Sequence, residues 1–126
     1  MDRKISGPGI EFEAAAVWNR QLFFAAMEFN GLFRLDLDTG EQFFLNSIPG
    51  ESLTAKRLYG SMQVVENVLV LIPFSAKNIA LYNLENGTIE LIKIENPCKN
   101  LQCYNAEYKF QGSTVIENQV IMFGLT

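Results

Sequence analysis

The chain has 126 residues, 48% hydrophobic and 19% charged, which suits one folded domain with a real core and excludes a charge-dominated disordered chain. A formal net charge of −4 argues against a nucleic-acid binder, which needs clustered Lys and Arg to displace counterions. The sequence contains no histidine, which removes Ser-His-Asp and Cys-His nucleophiles, histidine metal sites and the usual general base; carboxylates, Lys and Tyr remain open to catalysis.

The opening stretch "MDRKISGPGIEFEA" carries Arg3 and Lys4 with no apolar run behind them, so no secretory leader is expected. No apolar run approaches the roughly 20 residues of a spanning helix, so no membrane association is expected, and the default compartment is the cytoplasm. Gly9 falls in a segment expected to fray.

Strand signals then follow closely. "EFEAAAVW" and "QLFFAAMEF" are two strand candidates joined by Asn19-Arg20. Asn30-Gly31 is the dipeptide favoured in two-residue hairpin turns, because both positions tolerate positive φ. "LFRLDLD" alternates with period two, setting Phe33, Leu35 and Leu37 against Leu32, Arg34 and Asp36. "DTGE" supplies another turn with Gly40 at its positive-φ position, and "EQFFLNSI" leads away from it. Residues 11–48 thus read as a four-stranded antiparallel meander. In "ESLTAKRLYGS", Ser52 is placed to cap a single short helical turn that Gly60 would end.

The same grammar recurs over residues 61–95, where "SMQVVEN", "VLVLIPF", "NIALYNLENG" and "TIELIKI" repeat the first meander. "STVIENQVIMFGLT", within residues 110–126, begins a third copy and supplies its first half. Asn19, Asn67 and Asn118 mark equivalent turns at spacings of 48 and 51 residues, and Gly40 and Gly87 are 47 apart. Between the second and third copies, "PCKNLQCYN" holds Cys98 and Cys103. Two cysteines without histidine cannot complete a four-ligand zinc site, and two free thiols are expected unless the protein is exported.

Repeats of 40 to 50 residues, each a four-stranded meander, are the pattern of β-propeller blades. Strands such as "VLVLI" and "TIELIKI" are apolar on both faces, as a sheet between two neighbours requires. The expected fold class is therefore all-β, antiparallel four-stranded meanders forming a partial β-propeller of about two and a half blades, with a β-sandwich as the alternative. "LFRLDLDTGEQFFL" resembles the quinoprotein-type (PQQ-like) propeller repeat, with its Leu-x-x-Leu-Asp-x-x-Thr-Gly core, at Leu32, Leu35, Asp36, Thr39 and Gly40. The second copy keeps it more loosely at Ile79, Tyr82, Asn83 and Gly87. The closing Trp of that family is absent, with Phe44 and Ile92 in its neighbourhood. The resemblance implies a blade and no particular activity, and no cofactor residue carries over.

Two sequence patterns have simple turn explanations. Asp36 and Asp38 open like a calcium loop, but the glycine falls one position early and Ser47 stands where Glu is needed. Asn86-Gly87-Thr88 matches a glycosylation sequon at a hairpin position that requires glycine. No metal and no cofactor are expected.

"AKRLYG" and "EYKFQG" each pair basic and aromatic residues just before the first strand of a repeat. In a propeller this connection shares one face with the loops between second and third strands. Glu28, Asn30, Lys56, Arg57, Tyr59, Ser75, Lys77, Asn78, Tyr108 and Lys109 are thereby the candidate ligand-binding rim, suited to an anion or sugar, against the reading that Tyr59 packs between blades. No carboxylate pair stands out as an acid and base. The expected function is non-catalytic binding of a protein or a polar small molecule or glycan through that rim. The alternative is part of a propeller enzyme acting on carbohydrate, with catalytic residues outside this chain; a third is a fragment without independent function. Uncovered apolar faces on the terminal blades predict self-association.

Overall fold

The computed structural model describes residues 9–93, 110–116 and 119–124, with side chains over 9–93. The described residues form an all-β protein with no helix, built as two four-stranded antiparallel sheets and one hairpin. The first sheet is β1 (Phe12–Trp18), β2 (Gln21–Ala26), β3 (Leu32–Asp36) and β4 (Gln42–Asn46), each strand paired with the next. The second is β5 (Tyr59–Val65), β6 (Val68–Pro73), β7 (Asn78–Asn83) and β8 (Ile89–Lys93). The hairpin is β9 (Phe110–Ile116) and β10 (Gln119–Gly124).

Turn chemistry sets the register. β1 and β2 close over Asn19 (φ 49°) and Arg20 (φ 60°), both left-handed, as a tight turn matched to strand twist demands. Between β5 and β6 the left-handed residue is Glu66 (φ 56°), with Asn67 following it. Asn19 is thus the first residue of its turn and Asn67 the second, so the 48-residue spacing counts one too many. Between the two sheets the period is 47: the starts of β5, β6 and β8 each fall 47 residues after those of β1, β2 and β4, and β7 begins one residue early, 46 after β3. The third hairpin repeats β5 and β6 after 51 residues.

The irregularities repeat with the strands. Glu13 is an extra residue between Phe12 and Ala14 in the β1–β2 ladder, and Gly60 takes its place between Tyr59 and Ser61. Gln111 takes it again in β9. A bulge bends its strand and strengthens its twist, so all three first strands enter their sheets alike.

Two expectations are corrected. Asn30-Gly31 is not a two-residue turn, since β2 and β3 are joined by residues 27–31 and neither residue has positive φ. Gly31 is needed for space instead: a Cβ there would lie 2.6 Å from Phe29 Cε2 and 2.9 Å from Phe33 Cε1. The stretch after Ser52 forms no helix; its hydroxyl accepts from Thr54 N in a local turn, and Gly60 lies inside β5, which begins at Tyr59. Gly9 takes a left-handed φ of 74°, like Gly40 at 78°.

The two sheets stack face to face. The forward face of the first sheet (Ala14, Phe23, Ala25 and Leu32) packs on the rear face of the second (Tyr59, Met62, Leu69, Leu71, Ala80 and Tyr82) in one core. Phe23 and Tyr82 meet across it with ring centroids 6.3 Å apart. Leu32, Leu69 and Leu71 are fully enclosed there, each contributing about 1.5–3 kcal/mol by leaving water. Val70, Ile72 and Ile79 form the core of the forward face of the second sheet, and β9 runs beside β5 and β6. The first strands stand side by side in the order β1, β5, β9, while β4 and β8 are largely exposed. No helix among the described residues is long and apolar enough to cross a membrane.

Candidate functional site

The sheets have two chemically different ends. At one end lie the tight turns, and their hydrogen bonds recur after 47 residues. Gly40 N donates to Asp36 O and Gly87 N to Asn83 O, both at 2.8 Å. Asp36 Oδ1 is taken up by its own turn and the Asp38 carboxylate by the Arg20 guanidinium, so the calcium-like pattern is a turn. That ion pair lowers the Asp38 carboxyl below its usual pKa and raises Arg20. Asn86 Oδ1 likewise accepts from the Thr88 backbone and hydroxyl. A hollow of about 110 Å³ on this half of the second sheet, lined by Val68, Leu81, Asn83, Thr88 and Glu90, is below the roughly 300 Å³ of typical ligand pockets.

The other end carries the connection between sheets and the loops 27–31 and 74–77; the bond from Met27 N to Glu11 O recurs there as Phe74 N to Leu58 O, but the two loops differ in length, five residues against four. The connection is threaded against both loops: Arg57 N donates to Met27 O at 2.6 Å, Asn30 N to Leu53 O at 3.1 Å, and Phe74 N to Leu58 O at 2.7 Å. Arg57 holds a left-handed φ of 50°, which turns the chain between these partners. Ser75 Oγ donates to the carbonyls of Lys56 and Arg57, and Lys77 N donates to Glu51 Oε2 at 2.7 Å.

Side chains converge on the same end. Arg57 reaches Glu13 on the β1 bulge at 2.6 Å, with its guanidinium carbon 4.6 Å from the Phe74 ring centroid. Lys56 pairs with Glu28 at 3.3 Å, both exposed. The candidate cations Lys56 and Arg57 therefore have carboxylate partners from the first sheet, so this rim alternates in sign and is no bare anion cradle. Lys77 is exposed beside this pair of loops, and Asn78 opens β7 half-buried.

Asn30 and Tyr59 face inward. Asn30 is 2% exposed; its Nδ2 donates to Ile48 O at 3.0 Å and Glu51 O at 3.3 Å, and its Oδ1 accepts from Ile48 N at 2.8 Å. It clamps the connection to the first sheet. Tyr59 is 5% exposed, as the packing alternative expected, and its buried hydroxyl has no hydrogen-bond partner among the described residues. Burial, with the nearby Glu51 charge adding to it, holds that phenol well above its usual pKa. Tyr108 and Lys109, the turn at Asn118 and both cysteines lie outside the described residues.

The structure therefore gathers Glu28, Lys56, Arg57, Ser75 and Lys77 at one end and adds Glu13, Glu51 and Phe74. Glu13 carries no local sequence signal, since it reaches the rim only through the bulge. No group of three or more His, Cys, Asp or Glu able to hold a metal is present among the described residues. No protein-family model matches the chain. No curated protein matches it.

Proposed function

We propose that the chain is a β-propeller-type repeat module, its sheets serving as blades, which binds a protein or polar ligand through the connection end. One observation carries this reading: the tight-turn end repeats its hydrogen-bond scheme after 47 residues, while the loops at the connection end, 27–31 and 74–77, differ in length and sequence. A scaffold that holds its frame constant and individualises one set of loops places recognition on those loops. The quinoprotein-type pattern at Leu32, Leu35, Asp36, Thr39 and Gly40 supports the blade reading, as do the 47-residue period and the stacking of β1, β5 and β9. The alternating Glu28, Lys56, Glu13 and Arg57 charges suit a partner with both donors and acceptors, such as a glycan or a polar protein surface. The module acts by holding its partner, without chemistry of its own.

Screening the isotope-labelled protein against glycans and polar metabolites by amide chemical shifts tests this. Shifts are expected in residues 27–31, 51–57 and 74–77, and weaker binding in a Glu28→Ala, Lys56→Ala variant. Shifts confined to the tight turns at 19–20, 36–41 and 83–88 would contradict it.

A further inference from the structure

The rear face of the first sheet presents a second interaction surface, separate from the loop rim. Its centre is aromatic and already buried within the chain, with Phe24 and Phe33 stacked at centroids 5.3 Å apart and Phe12, Phe29 and Phe44 packed around them, so what it presents is its apolar margin. Leu22 and Leu35 extend it. Val17 pairs with Leu22 across the ladder and is 59% exposed, and Phe44, opposite Phe33, is 56% exposed.

The 47-residue period says what such a face packs against. Leu22, Phe24, Phe33 and Leu35 stand where Leu69, Leu71, Ala80 and Tyr82 stand in the second sheet. Those four residues form the rear face that receives the forward face of the first sheet. The two rear faces are equivalent in register and both apolar, yet only the second has a sheet against it among the described residues. The complement of a rear face is the forward face of a like sheet. Within one chain the first sheet's forward face is taken by the second sheet, and the second's lies beside β9. Among the described residues, the forward-face register positions not yet accounted for are those of the β9–β10 hairpin, where Ile121 and Phe123 stand in the places of Val70 and Ile72. The hairpin lies at the opposite end of the stack from β1.

We propose that the rear face of the first sheet docks the β9–β10 hairpin of a second copy of this chain, head to tail, continuing the stacking seen between its own two sheets. Such a contact joins different surfaces of the two copies, so it builds a ring when its rotation closes and a chain of copies when it does not. It buries the exposed Val17 and Phe44.

Sedimentation of the full chain at micromolar concentrations reads this directly. Reversible species that are multiples of the 14.2 kDa protomer are expected. Val17→Lys with Phe44→Lys, both at exposed positions, is expected to weaken association at least about tenfold while the far-ultraviolet β signal persists. Leu53→Lys, at an exposed apolar position in the connection, is expected to leave it unchanged. A labelled double variant should still co-sediment with unlabelled wild type, because its own hairpin is intact. Four outcomes would overturn the proposal: a monomer throughout, aggregates without defined mass, association indifferent to the double variant, or a double variant that never joins wild type. The last would indicate rear faces pairing with each other. Loss of loop-rim binding leaves this result untouched, so the two readings fail separately.

Discussion

Asp36 and Asn83, 47 residues apart, hold their turns with the same pair of hydrogen bonds. Asp36 Oδ1 accepts from Asp38 N at 2.8 Å and Thr39 N at 3.1 Å, and Asn83 Oδ1 accepts from Glu85 N at 2.9 Å and Asn86 N at 3.1 Å. The shared requirement is a short side-chain carbonyl-type oxygen, not a charge. Asp36→Asn and Asn83→Asp are therefore expected to be nearly neutral, whereas Asp36→Ala and Asn83→Ala each cost about 1 kcal/mol in urea denaturation. A large cost for Asp36→Asn would show that the carboxylate charge matters.

Asn30 and Lys56 were both candidate rim residues, and they separate under mutation. Asn30→Ala leaves the buried N–H of Ile48 and the carbonyls of Ile48 and Glu51 without their partner, at a cost of about 2–3 kcal/mol. Lys56→Ala removes one exposed ion pair and stays within about 0.5 kcal/mol of wild type. Equal midpoints for the two variants would contradict the assignment of Asn30 to the scaffold.

Tyr59 carries a pH dependence whose sign is fixed by burial. Its folded-state pKa lies above the unfolded value of about 10, so the folded chain holds the proton more tightly. That contribution is complete below about pH 10 and is lost as pH rises further, when the unfolded phenol ionises and the buried one resists. Tyr59→Phe removes the dependence along with an unpartnered hydroxyl. Its stability at neutral pH is expected to match or exceed wild type by up to about 1 kcal/mol, with a shallower fall above pH 10 in thermal unfolding. A variant destabilised at neutral pH would show that the hydroxyl has a partner.

The strands were legible because they are short apolar runs, alternating with period two in "LFRLDLD", and are bounded by turn residues with a local conformational demand. Gly40 and Gly87 have φ of 78° and 76°, and Asn19 has φ 49°, as those residue types allow. What was not legible depends on neighbours distant in sequence. Asn30-Gly31 reads locally as a tight turn, but the side chain of Asn30 is drawn inward by the connection, and Gly31 is fixed by two aromatic rings. Nothing local separates Glu13 from the other acidic residues around it, because its role needs both the bulge and Arg57. The short helix expected after Ser52 loses to the backbone partners that the two flanking loops offer the connection.

The central claim is that successive sheets stack with the forward face of one on the rear face of the next. Phe23 and Val70 hold equivalent positions, 47 residues apart, on the two forward faces, and Tyr82 belongs to the rear face of the second sheet. Aromatic and methyl nuclear Overhauser contacts in solution distinguish the arrangements. The account predicts contacts between the Phe23 and Tyr82 rings and none between Phe23 and Val70. Contacts between Phe23 and Val70, the mark of two forward faces packed together, would contradict it.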